Sequence, residues 1–186
     1  MPAKIRVAVL LGGASSERDI SLASGKMIAE HLPRDRYDVV MLDTLALLAE
    51  NPKISPALRE QARALLLRDP GSTALAAVGQ ARIDVAFLAL HGPYGEDGTL
   101  QGMLDLIGIP YVGSGTLASA LAMDKVMARR VFAGTGVPTA RGIVVERAAY
   151  RADPEGVARE TARAVLPAVV KPARQGSSIG MSLVLD

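Results

Sequence analysis

Apolar runs without polar alternation, each followed by a helical pattern and then by another such run, leave this chain few folds to adopt. Ile5 to Leu11 (IRVAVLL) is rich in Val and Leu and ends on Gly12 and Gly13, as a strand covered on both faces does. From about Glu17 to Leu32, Ile20, Ala23, Met27 and Ile28 recur at helical spacing. Ser16 with Asp19 three residues on fits a capping box at the helix start. Tyr37 to Leu42, Ile83 to Leu90 and the short Ile109 to Val112 are further strand candidates, with a helix to about Ile107 and another after Val112. Residues 44 to 80, punctuated by Pro52, Pro56 and Pro70, read as short helices. Strands alternating with helices predict an α/β fold with a parallel sheet flanked by helices. Ligands of such sheets bind beyond the carboxyl ends of the strands. Two polar, Gly-rich loops fall there, at residues 12 to 19 and 91 to 98.

The pattern changes after Ala122. Met123 to Ala133 reads as helix, Gly134 to Pro138 as a breaker, Ile143 to Val145 as a strand and residues 153 to 165 as a helix. Pro167 to Val170 leads into KPARQGSSIG (171 to 180), and a further apolar run covers Met181 to Leu185. The expected division is a domain over 1–122 and part of a second over 123–186. An end inside a strand-like run, just after a loop this rich in chemistry, reads as truncation.

Composition removes several functions. With 21 basic and 19 acidic residues scattered along the chain, net +2, no dense basic patch argues for nucleic acid. Cysteine is absent, which excludes disulfides, thiolate metal sites and a cysteine nucleophile. The apolar run near the N-terminus is too short for a secretory signal, and no stretch is long enough to span a bilayer. The expectation is a soluble, cytoplasmic protein with no membrane partner.

Four segments can carry chemistry. KPARQGSSIG offers Lys171, two hydroxyls and free amides between two apolar runs, a loop able to wrap phosphate oxygens. It is not a Walker A loop, because its lysine precedes the glycines; a hairpin with a polar tip is the plain alternative. In LLGGASSERD (10 to 19), Glu17 falls in the first helical turn, where an acid is favourable against the dipole by roughly 0.3–1 kcal/mol. It could equally hold a cationic group such as a substrate ammonium. HGPYGEDGTLQG (91 to 102) places His91, Glu96 and Asp97 after a buried strand, although Asp97 can simply cap the next helix. GSGTLA (113 to 118) fits a dinucleotide fingerprint only in part, since no acid follows at about 20 residues. Lys125 alone reads as a solvated helix lysine.

Together LLGGASSERDISLASG (10–25), HGPYGEDGTLQG (91–102), YVGSGTLASALAMDK (111–125) and VVKPARQGSSIG (169–180) resemble the D-alanine–D-alanine ligase family, in the family's order. The resemblance implies a Rossmann-like N-terminal domain followed by the central subdomain of an incomplete ATP-grasp domain. It implies an ATP-dependent ligase that joins two D-alanines through an acyl phosphate, for peptidoglycan precursors. By position, Glu17 would hold the ammonium of the first D-alanine and His91 would lie in its pocket. Lys125 and Lys171 would contact the nucleotide, and Gln175, Gly176, Ser177 and Ser178 would form the loop over its phosphates. Ser177 would also bond back toward Glu17 and help position the second substrate. Glu96 and Asp97 receive no direct role. The family's Mg²⁺ (or Mn²⁺) ligands, its oxyanion-stabilising arginine and a substrate-selecting tyrosine are expected beyond Asp186, so no metal ligand is assigned and the chain alone is expected to be inactive. A homodimer through the N-terminal domain is implied. A naturally short, non-catalytic binding module and an ATP-grasp ligase for another amino acid stand as the alternatives.

Overall fold

Strand β1 (Ile5–Leu11) is an inner strand of a four-stranded, all-parallel sheet of order β2-β1-β3-β4. The computed structural model describes residues 3–68, 82–163 and 166–185. β1 pairs along its whole length with β2 (Tyr37–Asp43), from Ile5 opposite Tyr37 to Leu11 opposite Asp43, and on its other side with β3 (Val85–Leu88). β4 (Tyr111–Val112) closes the far edge against β3.

Both faces of β1 are covered, which is why its sequence lacks alternation. Val7, Val9 and Leu11 pack on one face with Ala29, Leu22 and Ile28 of helix α1 (Arg18–His31). Ala8 and Leu10 pack on the other with Leu100 and Leu104 of α3 (Thr99–Leu106). Burying side chains of this size stabilises by about 1.5–3 kcal/mol each for Val and Leu. Helix α1 comes close to β1 because Gly25 has no side chain: a Cβ there would lie 2.6 Å from that of Leu11. A smaller cluster beside the sheet joins a 3₁₀ turn (Thr44–Leu48) to α2 (Pro56–Arg68) through Leu45, Ala49, Ile54 and Ala62. The expectation of short helices over 44 to 80 holds for these two elements; its remainder, 69 to 80, lies outside the described residues.

The chain forms two compact units, Met1–Ala120 and Leu121–Asp186, with α4 (Thr116–Met123) running across the division. The second unit contains α5 (Lys125–Gly134), α6 (Arg147–Ala152), α7 (Pro154–Thr161) and an antiparallel pair, β5 (Ala168–Val170) with β6 (Ser182–Val184). Asp153 starts α7 by accepting from the Gly156 amide at 2.8 Å, with Pro154 in the first turn.

Two local expectations fail. The N-cap of α1 is Glu17 rather than Ser16 and makes no side-chain capping bond, and the Ser15 hydroxyl accepts from the Glu17 amide at 3.2 Å. The helix starts one residue later than the Ser-x-x-Asp spacing requires, after a turn in which Gly12 and Gly13 stand at positive φ. Ile143 to Val145 is exposed, irregular chain rather than strand. β-branched residues favour a strand only where a neighbour pairs with it, and among the described residues none does.

Candidate functional site

The sheet changes direction between β1 and β3: the chain moves from β1 outward to β2, then returns to β1's other side. A crevice opens at such a reversal, beyond the carboxyl ends of the two diverging strands, and ligands bind there. The loops leaving β1 (12–17) and β3 (89–98) meet at this point. Ser21 of α1, fully buried, accepts from the Gly12 amide at 2.8 Å and donates to the Ala89 carbonyl at 2.6 Å, tying the two strand exits together. The Ala89 amide donates to the Leu10 carbonyl at 2.8 Å.

Glu17 sits in this crevice, only 9% exposed. Its carboxylate makes no capping bond, and Oε2 is buried without a hydrogen-bond partner. Gly92 covers it: a Cβ at Gly92 would stand 3.2 Å from Glu17 Oε2 and 3.2 Å from Ser15 Cβ. His91, next in the same loop, also holds a buried ring nitrogen, Nε2, with no partner. Leaving a buried carboxylate oxygen unpaired costs free energy that a cationic donor would recover.

The second loop is held from inside. Glu96 accepts from the Gly92 amide at 2.7 Å, and Asp97 accepts from the Tyr94 and Thr99 amides at 2.9 and 3.0 Å. Buried Gln101 donates to the Gly95 carbonyl at 2.9 Å. Asp97 thus has the helix-start role open to it from sequence, with Gly98 as the N-cap of α3. On the β2 side of the first loop, the Arg18 guanidinium meets the Asp43 carboxylate with both terminal nitrogens, and Nη1 also donates to the Gly13 carbonyl at 2.9 Å.

In the second unit, residues 171 to 181 connect β5 and β6, so the hairpin reading and the loop reading describe the same segment. The Lys125 ammonium, at the start of α5, donates to the Gln175 carbonyl at 2.6 Å, and its backbone amide donates to Ala173 at 2.9 Å. Arg174 donates to Asp124 at 2.8 Å, while the other oxygen of Asp124 caps α5 by accepting from the Val126 and Met127 amides. The Arg174 guanidinium and, after it, these amides hold the Asp124 carboxyl below the ordinary carboxylate range. Lys171 is exposed, and Ser177 stands at φ 52. The structure thus brings Lys125 to the 171–180 loop, and Glu17 to the loop that bears His91. Among the described residues no three His, Cys, Asp or Glu side chains gather as a metal site.

The family model for the D-ala D-ala ligase N-terminus matches residues 6–114, and the model for the D-ala D-ala ligase C-terminus matches 131–186. The chain belongs to the D-alanine–D-alanine ligase family. The D-alanine–D-alanine ligase of Paramagnetospirillum magneticum is 43% identical over 181 residues, 97% of this chain and 49% of that protein. The crystal structure of the Bacillus anthracis D-alanine–D-alanine ligase complexed with ATP covers 99% of this chain and 49% of that one, at 29% identity and a TM-score of 0.63. The VanG D-Ala:D-Ser ligase of Enterococcus faecalis aligns with a TM-score of 0.66 at 27% identity, covering 99% of this chain and 56% of that one. The chain spans about half the length of the curated ligase relatives it matches. Sequence reasoning passed over Arg18, Ser21 and Asp43. One signal was available for Asp43: it is the acid that ends the apolar run VVML at a strand's carboxyl end.

Proposed function

We propose that this chain supplies the ammonium seat and the phosphate loop of an ATP-dependent ligase that joins two D-alanine molecules. The observation that carries the reading is the Glu17 carboxylate, buried at the β1–β3 crevice with Oε2 facing no donor. An ammonium group supplies the missing hydrogen bonds and the opposite charge. His91, with its own unpaired Nε2, lines the same substrate's pocket. Lys125 and Lys171 neutralise the nucleotide's phosphates, and the segment Gln175, Gly176, Ser177 and Ser178 covers them with amides and hydroxyls. Ser177 further helps position the second substrate. Lys125 now holds the Gln175 carbonyl, so nucleotide binding exchanges that contact for phosphate oxygen.

In the reaction, a carboxylate oxygen of the first D-alanine attacks the γ-phosphorus of ATP, giving an acyl phosphate and ADP. The amine of the second D-alanine then attacks the acyl carbon, phosphate leaves and the amine loses a proton. Fixing the ammonium at Glu17 aims the first carboxylate, and such positioning dominates phosphoryl transfer. Divalent metal belongs to this chemistry, and among the described residues no cluster of three His, Cys, Asp or Glu side chains offers it ligands. A cytoplasmic setting, where ATP is at hand, goes with the reading. A homodimer is part of it too: Leu106 and Leu117 of the first unit are 90% and 73% exposed, and sedimentation of the purified chain at monomer mass would remove that part.

The test uses a fusion of residues 1–186 to the second half of the Paramagnetospirillum magneticum ligase. D-Alanine should stimulate phosphate release from ATP, and no other amino acid should match it. Glu17→Ala should lower that rate roughly ten- to hundredfold, the worth of a charge-assisted hydrogen bond. An undiminished rate would end the role given to Glu17. The 186-residue chain alone should release no phosphate.

A further inference from the structure

Glu17 has one carboxylate oxygen, Oε2, buried without a hydrogen-bond partner, yet its place is narrowly determined. The turn before it uses Gly12 and Gly13, both at φ near +75°, where a side chain is strained. That turn is closed by the pair Arg18–Asp43. Arg18 follows Glu17 directly, and Asp43 ends β2 in register with Leu11, the last residue of β1. Arg18 meets Asp43 with both nitrogens and donates a further bond to the Gly13 carbonyl at 2.9 Å. Asp43 Oδ1 also accepts from the Gly13 amide at 3.3 Å and the Leu45 amide at 3.0 Å. One ion pair therefore grips the exit of β1, the entry of α1 and the exit of β2.

Solvent-exposed ion pairs contribute little. This one differs in being two-pronged, bonded to the backbone of the same turn, and only 21% and 17% exposed at its two side chains. A planar guanidinium with fixed N–H directions transmits orientation in a way an ammonium does not. We propose that Arg18, acting through Asp43, is a positioning residue that sets the Glu17 carboxylate for the substrate ammonium. The proposal rests on the reading of Glu17 given above.

The experiment is a double-mutant cycle in the fusion of residues 1–186 to the second half of the Paramagnetospirillum magneticum ligase, with D-alanine as the titrated probe and NMR shift changes as the readout. Arg18→Lys keeps the charge and removes the fork; its D-alanine affinity should fall about tenfold, the scale of one charge-assisted bond lost. In a Glu17→Gln background the same change should cost nothing further, because the residue it acts through is already disabled. Should Arg18→Lys fail to fold, Asp43→Asn replaces it, since an amide oxygen still serves the Gly13 and Leu45 amides. Wild-type affinity in the folded Arg18→Lys chain overturns the proposal. So does an equal loss with and without Glu17, which would mark Arg18 as a general structural residue. If Glu17→Gln itself binds D-alanine as the wild type does, or if the wild type binds none, the ammonium seat falls and this proposal with it.

Discussion

Ser21 is the residue on which the two site loops depend together. Its hydroxyl is fully buried and serves the Gly12 amide and the Ala89 carbonyl at once. Ser21→Ala leaves both backbone groups unpaired and should cost about 1–3 kcal/mol of stability, read from urea denaturation. Gly12→Ala should be destabilising as well, because φ is 75° and a Cβ there runs into Asp43 and Arg18; an unchanged denaturation midpoint would contradict this. How visible such residues are in sequence depends on the sign of their chemistry. Glu17 and His91 could be named as candidates because they stand in Gly-rich loops at strand ends within segments that resemble the family's. Ser21 and Asp43 could not. Their significance lies in bonds to segments 68 and 25 residues away, and nothing local encodes those partners.

At the level of elements, the legible ones were those whose burial pattern matches their own periodicity. β1 is recognisable because both its faces are covered, and α1 because one face packs on the sheet. Ile143 to Val145 looked like a strand on residue type, and fails because strand formation is decided by a partner that residue type does not specify. Helix α6 was missed for the complementary reason: Arg147–Ala152 buries nothing, so no periodic apolar face announces it. For α5 the start is set by Asp124, whose carboxylate serves the Val126 and Met127 amides and Arg174. Those bonds hold its folded-state value below the ordinary 3.8. The stabilisation is therefore full above the unfolded value and is lost as pH falls through the lowered folded one. The α5 amides of Val126 and Met127 should lose hydrogen-exchange protection over that acid range in the wild type, and at neutral pH in Asp124→Ala.

Across the whole molecule, the two units differ in how much they bury. The first holds Val9, Leu10, Leu45 and Leu104 at 1% exposure or less. In the second, no described residue is buried, and Phe132, Val170 and Leu183 are 43%, 60% and 64% exposed. Apolar burial is the main stabilising term. Denaturant should therefore release the second unit first, giving two transitions where hydrogen exchange is followed residue by residue; a single coincident transition would show that the units stabilise each other.

The β1–β3 pairing has a consequence in time. Arg6 bonds to Asp84 across 78 positions, so the crevice is built by a contact between segments made far apart during synthesis. Closing a loop of that length is slow and entropically costly. A ribosome-bound chain that has released only β1, α1 and β2 carries Glu17 but no wall opposite it. On the proposed role of Glu17, recognition of substrate can begin only after β3 has emerged and docked, and acquiring a ligand and completing the first sheet become a single event.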